Sequence, residues 1–293
     1  MAAKGPPLWR ALRPNHWIKN IFVFAALVFA HRLGDPGAVL RAILAFGVFC
    51  VLSSAVYLIN DVLDRQADRA HPAKRTRPIA SGEVSVATAV IAATILSLIG
   101  LGAAVALGAA FGAVASGYLL MNLAYSVVLK RVVIVDVMLV AAGFLLRAWG
   151  GAVAVRVEMS HWLILCTGCV ALFLGFVKRR QEIAGAASIE STRPILREYS
   201  LPFLDQMISI VTSSTLLAYA LYVFSPEVAD KLGTRWLGLT LPFVLYGIFR
   251  YLYLVHQRGQ GESPTELVTS DRALVFNFLL WGAAIVVAVY VLH

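Results

Sequence analysis

The chain has 293 residues, of which 60% are hydrophobic and only 14% are charged. Soluble globular domains average roughly 45–50% apolar and about 25% charged residues, so the composition excludes an ordinary soluble protein. The formal net charge is +9. The Lys and Arg residues that produce this charge lie in short loops between apolar blocks, which indicates membrane topology and anionic headgroups rather than nucleic acid.

The apolar residues form blocks of roughly 18–22 residues, the length that a helix needs to cross about 30 Å of hydrocarbon. Helices are the only plausible spanning form here because lipid cannot satisfy free backbone N–H and C=O groups. We place about nine spans at 17–31, 38–59, 86–107, 109–128, 132–153, 161–177, 204–224, 236–255 and 273–292. The sequence therefore predicts an all-α, multi-pass membrane protein forming a single domain over residues 1–293.

The distribution of basic residues gives the predicted orientation. With the N-terminus in the cytoplasm, the inside loops carry about four times as many Lys and Arg residues as the outside loops. Nine spans then place the C-terminus outside. Two inside segments, 60–85 and 178–203, are rich in charge and longer than a connection needs, which is typical of functional loops.

The first of these segments contains what we call the acidic patch: Asn60, Asp61, Asp64 and Asp68. Asn60, Asp64 and Asp68 are spaced four apart, so on a helix they share one face and lie about one turn from each other. Carboxylate and amide oxygens in such a row suit a hard divalent cation such as Mg2+, which commonly shares its ligands with substrate phosphates.

Basic residues that suit phosphate oxygens follow immediately at Lys74, Arg75 and Arg77. Acid followed by base within one segment predicts a site for a metal–diphosphate complex. The alternative is a solvated helix end with surface ion pairs between neighbours such as Asp64 and Arg65. We favour the metal site because the carboxylates continue directly from a membrane span, where ionisable groups usually line a cavity.

The run N-D-V-L-D-R-Q-A-D at 60–68, followed by R-P-I-A-S-G at 77–82, resembles the UbiA-type prenyltransferase superfamily. The resemblance implies nine transmembrane helices around a central cavity, with aspartate motifs over its cytoplasmic mouth. The stretch from Tyr125 through Lys130 to Gly151 resembles the fourth and fifth helices of that family, which implies site positions for Tyr125 and Lys130.

One departure from the family pattern lies in the second long segment. Where intramembrane prenyltransferases carry a second D-x-x-x-D motif, this chain reads F-V-K-R-R-Q-E-I-A-G at 176–185. Glu182 is the only early carboxylate there. We therefore expect Lys178, Arg179 and Glu182 to form a cationic patch on the wall opposite the acidic patch, suited to a bare phosphate.

This departure points to one branch of the family. The start R-P-N-H-W-I-K-N at 13–20, the acidic run and the K-R-x-x-E sequence together are similar to decaprenyl-phosphate phosphoribosyltransferases. The resemblance implies a Mg2+-dependent transfer of 5-phosphoribose from phosphoribosyl diphosphate to a polyprenyl phosphate, with release of diphosphate, at the cytoplasmic face of the inner membrane. It suggests a lipid-linked sugar donor for cell-envelope polymers.

Two alternatives stay open. One is an intramembrane prenyltransferase that moves a prenyl group from its diphosphate to an aromatic acceptor, against which the missing second aspartate motif argues. The other is a transporter, for which we find no convincing internal repeat. The sequence leaves the oligomeric state, including a homo-oligomer, undecided.

We expect Asn60, Asp64 and Asp68 to bind Mg2+ and, with Asp61 as a neighbouring group or ribose partner, to form the catalytic set. Lys19 either reaches a phosphate or snorkels to the interface. Arg147 falls near mid-span, and Asp136 lies eleven residues earlier, roughly 16 Å away along a helix, so Arg147 needs another partner. The residues expected to bind substrate are Lys19, Lys74, Arg75, Arg77, Tyr125, Lys130, Arg147, Lys178, Arg179 and Glu182.

Overall fold

The computed structural model describes residues 5–71, 74–185, 194–259 and 264–292, and every regular element in these ranges is helical. Within these ranges, eight helices are long and apolar enough to cross a membrane, the seventh of them together with the 3-10 turn Trp236–Thr240 that precedes it. They are α1 (Pro36–Leu63), α2 (Val86–Leu107), α3 (Ala109–Val127), α4 (Val135–Ala154), α5 (His161–Ala184), α6 (Leu201–Phe224), α7 (Leu241–Arg258) and α8 (Arg272–Tyr290). The chain is thus an all-α, multi-pass membrane protein.

The first predicted span, 17–31, is not a continuous α-helix. The structure has a 3-10 helix over Pro14–Phe24, which we call the N-terminal 3-10 segment, followed by a short α-helix at Ala25–Phe29. Polar side chains at Lys19 and Asn20 interrupt the apolar run, and the segment packs against α1 and α4. Tertiary contacts rather than helical periodicity therefore determine its path, since long 3-10 runs are otherwise uncommon.

The helices form two compact units. The first contains residues 1–27 and 35–158, and the second contains residues 28–34 and 159–293. In the first unit, the buried Phe49 ring lies edge-on to Phe111 and Tyr118, with centroid distances of 5.9 and 5.2 Å. In the second unit, Tyr219 and Leu237 belong to a separate buried cluster. The single domain and the central cavity remain predictions.

Helix α1 is longer than the predicted span 38–59. Asp35 caps its start by accepting hydrogen bonds from the Gly37 and Ala38 N–H groups at 2.9 and 3.1 Å, as N-cap residues do. Its 28 residues give a length of about 42 Å, whereas the hydrocarbon core is about 30 Å thick. The last turn, with Asn60 and Asp61, therefore extends beyond the expected span as helix and not as loop.

Helix α5 corrects the second predicted loop in the same way. The predicted span ended at residue 177, but the helix continues to Ala184, so Lys178, Arg179 and Glu182 lie on helix. Arg179 Nη1 donates to Glu182 Oε2 at 2.5 Å, and Lys178 Nζ lies 3.8 Å from Glu182 Oε1. Ion pairs at these spacings support helix, which explains why a charged sequence extends α5.

The predicted spans 86–107 and 109–128 leave one residue between them, and the structure agrees. Gly108 alone separates α2 from α3, and its φ is 153°. This part of φ space favours glycine because it has no Cβ. The turn holds the two helices antiparallel with no charged residue between them.

Gly151 on α4 provides a first testable contact. A Cβ at this position would overlap the backbone carbonyl of Val23 in the N-terminal 3-10 segment. We expect Gly151→Ala to reduce the free energy of unfolding by about 1–3 kcal/mol through overpacking, which would lower the thermal unfolding midpoint of the detergent-purified protein.

Gly117→Ala on α3 is the matched control, since nothing lies within 4 Å of a Cβ built there. We expect this change to be neutral or slightly stabilising, because Ala favours helix over Gly. Equal midpoints for the two variants would contradict the close approach at Val23.

Candidate active site

The acidic patch is built at the junction between α1 and the short helix Arg65–Ala70. Asp64 is the C-cap of α1, directly after Leu63, with φ −90° and ψ 4°. Even so, the Asp64 N–H donates to the Asn60 carbonyl at 2.9 Å, and the Asp68 N–H donates to the Asp64 carbonyl at 2.8 Å. These backbone hydrogen bonds keep the helical i to i+4 pattern from Asn60 to Asp68. The three residues therefore stay about one turn apart although α1 ends between them.

Asp64 receives hydrogen bonds on both carboxylate oxygens. Lys130 Nζ lies 2.5 Å from Oδ1, and Asn60 Nδ2 donates to Oδ2 at 3.1 Å. Lys130 sits on the 3-10 turn Leu129–Arg131 between α3 and α4. Ile134, just after this turn, has φ 68°, a conformation that a β-branched residue rarely adopts and that often marks a functional site.

Asp61 and Asp68 share one arginine. Arg77 Nη1 lies 2.6 Å from Asp68 Oδ2 and 3.2 Å from Asp61 Oδ1. Both carboxylates are buried, with 2% and 4% of their surface exposed. A charged carboxylate at such burial needs a hydrogen-bonded cation. Arg77 therefore has a defined role within the patch in addition to any contact with substrate.

Arg13 is a residue of this site that the sequence analysis missed. Its Nη2 donates to Asp61 Oδ1 at 2.5 Å, and its guanidinium carbon lies 5.1 Å from the centroid of the Tyr57 ring. Arg13 has φ 55°, so the chain turns sharply there. The available signal is its place at the start of the R-P-N-H-W-I-K-N run, which carries the family resemblance.

The alternative interpretation, a solvated helix end, predicts ion pairs between residues that are neighbours in the sequence. In the described parts of the chain, the carboxylates of the patch pair with the distant Lys130, Arg77 and Arg13 rather than with the adjacent Arg65 and Arg69. Arg69 Nε instead donates to the Ala80 carbonyl at 2.8 Å. The patch is therefore an internal network of the first unit, and its ion pairs are not those of the alternative.

The remaining predicted site residues are distributed over both units. In the first unit, Lys74 is half-buried and Arg75 is exposed, Tyr125 lies on α3, and Arg147 lies buried on α4, where it contacts Tyr118. Lys178, Arg179 and Glu182 lie on α5 in the second unit. The structure therefore brings the patch residues together in two side-chain groups, Asn60 with Asp64 and Lys130, and Asp61 with Asp68, Arg77 and Arg13.

The patch has the donor chemistry of a magnesium site, since Asn60, Asp64 and Asp68 all offer oxygen ligands. Within the described ranges, no three His, Cys, Asp or Glu side chains are gathered closely enough to hold a metal ion. Lys130 and Arg77 are hydrogen-bonded to the carboxylates that would bind Mg2+. These oxygens fit a hard cation, and Lys130 and Arg77 would have to yield part of their contacts to it.

Comparison with known families identifies the chain. The sequence model of the UbiA prenyltransferase family matches residues 20–267. The chain belongs to the UbiA prenyltransferase family. Membership confirms the resemblance found in the acidic run and shows an integral membrane protein.

Two relatives from this UbiA family match the chain along nearly its whole length. One, from Mycolicibacterium smegmatis, is 35% identical, and the alignment covers 98% of this chain and 95% of the relative. The other, from Corynebacterium glutamicum, is 34% identical, and the alignment covers 97% of this chain and 86% of the relative. Both are decaprenyl-phosphate phosphoribosyltransferases.

A solved structure shows the same fold. The UbiA homologue from Archaeoglobus fulgidus, solved with GPP and Mg2+, superimposes with a TM-score of 0.73 at 18% identity. The match covers 97% of this chain and all of the homologue. The homologue thus shows that a UbiA fold accommodates a divalent cation together with a prenyl diphosphate.

Proposed function

We propose that this UbiA family member transfers 5-phosphoribose from phosphoribosyl diphosphate to a polyprenyl phosphate at the cytoplasmic face of the inner membrane. The full-length similarity to two decaprenyl-phosphate phosphoribosyltransferases carries the proposal. The site supports it, because its carboxylates offer oxygen ligands for a metal and are paired with cations that suit phosphate oxygens.

Asn60, Asp64 and Asp68 would hold Mg2+ in this proposal. When bound, the ion supplies positive charge to the departing diphosphate. The Nζ of Lys130 lies 2.5 Å from Asp64 Oδ1. Lys130 is therefore placed to donate to an oxygen of a diphosphate that the ion would hold next to that carboxylate. Arg77, hydrogen-bonded to Asp68, is placed to do the same from the other side. Cations placed where charge develops stabilise a transition state of this kind.

The proposed reaction needs no strong general base. The bond from ribose C1 to the diphosphate oxygen breaks, and its electron pair leaves with the diphosphate. An oxygen of the polyprenyl phosphate forms the new bond to C1. That oxygen is already anionic, so no proton has to be removed.

A direct assay tests the function. Purified protein in nanodiscs would receive phosphoribosyl diphosphate labelled in the ribose, a polyprenyl phosphate and Mg2+. We expect the label to enter the lipid extract, with one diphosphate released for each sugar transferred and with loss of transfer in EDTA. Omission of the polyprenyl phosphate is the control. Diphosphate release that occurs only with a prenyl diphosphate and an aromatic acid would overturn the proposal.

A further inference from the structure

Arg147 is a buried cation whose described partners are all neutral. Its Nε donates to Asn20 Oδ1 at 2.6 Å, its Nη1 to the Gly143 carbonyl at 2.8 Å, and its Nη2 to the Tyr118 hydroxyl at 2.7 Å. Only 7% of its surface is exposed. A positive charge inside a membrane span is costly, and these partners orient the guanidinium without neutralising it.

Lys19 adds a second positive charge on the segment that contacts Arg147. It is half-buried on the N-terminal 3-10 segment and directly precedes Asn20, the residue that accepts the Arg147 Nε hydrogen bond. The described ion pairs of the first unit join carboxylates to Arg10, Arg13, Arg77 and Lys130, but none of them includes Lys19 or Arg147. We call Lys19 and Arg147 the buried cation pair.

Arg147 retains hydrogen-bonding capacity for a ligand. A guanidinium carries five N–H donors, and the three described hydrogen bonds account for three of them. Two donors therefore remain for a ligand. A planar guanidinium matches two oxygens of a phosphate group, and the ammonium group of Lys19 on the adjoining segment offers a point charge to the same anion.

The buried cation pair lies deeper than the acidic patch. Asn20, which bonds to Arg147, also donates from Nδ2 towards Cys50 Sγ at 3.3 Å and Ser53 Oγ at 3.4 Å on α1. Ser53 precedes Asn60 by seven residues, which corresponds to about 10 Å along a helix. The pair is thus about two helical turns further into the span than the first residue of the patch.

Aromatic side chains surround the guanidinium of Arg147. Its central carbon lies 4.8 Å from the centroid of the Tyr118 ring and 5.4 Å from that of Phe144. The Phe22 ring packs edge-on against Phe144 at 5.1 Å. An anion that reaches this position must enter apolar surroundings, which suits the headgroup of a lipid better than a water-soluble sugar phosphate.

We propose that the buried cation pair binds a phosphate monoester, and that this group is the phosphate of the polyprenyl acceptor. The assignment rests on the proposed function. The donor diphosphate would lie at the acidic patch, the acceptor phosphate on the deeper side of it, and the ribose C1 between the two phosphate groups. The 5-phosphate of the sugar donor has the same chemistry and is the competing source.

Steady-state kinetics of Arg147→Gln and Lys19→Gln in the full chain test the inference. We vary polyprenyl phosphate at saturating phosphoribosyl diphosphate, and then the reverse. We expect each variant to raise the KM for polyprenyl phosphate by about tenfold to a hundredfold, the effect of losing a charged hydrogen bond. The KM for phosphoribosyl diphosphate should stay unchanged. Lys231→Gln, an exposed cation in the second unit, is the matched control for lost charge.

The outcomes separate the alternatives. A raised KM for phosphoribosyl diphosphate alone would assign the pair to the 5-phosphate and overturn the acceptor assignment. Unchanged KM values for both substrates would overturn the phosphate site altogether. Because Arg147→Gln also removes three internal hydrogen bonds, Lys19→Gln, which loses none of the described ones, keeps the test valid if the arginine variant fails to fold.

A binding measurement separates this inference from the proposed function. Tryptophan fluorescence can follow the binding of polyprenyl phosphate without any sugar donor, and therefore without turnover. Tighter binding to the wild type than to Lys19→Gln supports the buried cation pair even if no sugar is transferred, an outcome that would defeat only the proposed function. Equal binding to both proteins defeats the inference even if transfer is observed.

Discussion

Replacing Asp64 by asparagine is expected to lower the rate of phosphoribosyl transfer by about 10²–10³-fold, the usual cost of removing one electrostatic contact to a transition state. Asp64 is the residue that brings Asn60 and Lys130 together. The asparagine keeps the shape but loses the charge that would hold Mg2+ and orient Lys130. The measurement is transfer of labelled ribose to the lipid over a range of Mg2+ concentrations, and we expect the half-maximal Mg2+ concentration to rise.

Glu83→Gln is the matched control for this change. Glu83 belongs to the same unit, is more exposed and pairs with Arg10 at 2.7 Å, so the same carboxylate-to-amide substitution removes one charge away from the patch. We expect the activity of this variant to stay within about twofold of the wild type, since surface ion pairs contribute little. If Asp64→Asn kept full activity and an unchanged Mg2+ requirement, the patch would not be the metal site.

Asp61→Asn should act mainly on stability. Its Oδ1 accepts hydrogen bonds from both Arg13 and Arg77, and the carboxylate is 2% exposed. Removing its charge leaves two guanidinium groups facing an amide that neutralises neither. Breaking a buried pair costs about 3–5 kcal/mol, and we expect about 3 kcal/mol here because both arginines are partly exposed. The unfolding midpoint in detergent measures the loss.

A double-mutant comparison sharpens this expectation. Arg13→Gln should cost less in the Asp61→Asn background than in the wild type, because residues in contact do not contribute additively. Asp230→Asn, at an exposed position, should change stability by no more than about 0.5 kcal/mol. A shift in the Mg2+ requirement of Asp61→Asn as large as that of Asp64→Asn would show that Asp61 binds the metal instead of anchoring the arginines.

The sequence predicted the features that depend on local order. Apolar blocks located the eight long helices, and the four-residue spacing of Asn60 and Asp64 anticipated a contact now seen at 3.1 Å. The same local reasoning excluded Asp136 as the partner of Arg147. These predictions succeeded because helical periodicity links spacing directly to neighbourhood.

Contacts between distant segments could not be predicted in this way. Lys130 follows Asp64 by 66 residues and Arg13 precedes Asp61 by 48, and no periodicity connects such positions. The N-terminal 3-10 segment was missed for a related reason, since its course depends on packing against other helices. The predicted end of the span at residue 177 was wrong because the charged residues after it suggested a loop. Those residues lie on α5 and pair with each other along the helix.

The ion pairs of the acidic patch also determine what the patch attracts. The three carboxylates Asp61, Asp64 and Asp68 face the three cations Arg13, Arg77 and Lys130, so their charges cancel. A lone cation would therefore have to displace Arg13, Arg77 or Lys130 from a carboxylate oxygen and leave that side chain without its partner. A diphosphate that arrived with a metal ion would supply oxygens for the displaced side chains. The ion pairs would thus favour joint binding of the metal ion and the diphosphate over binding of either one alone.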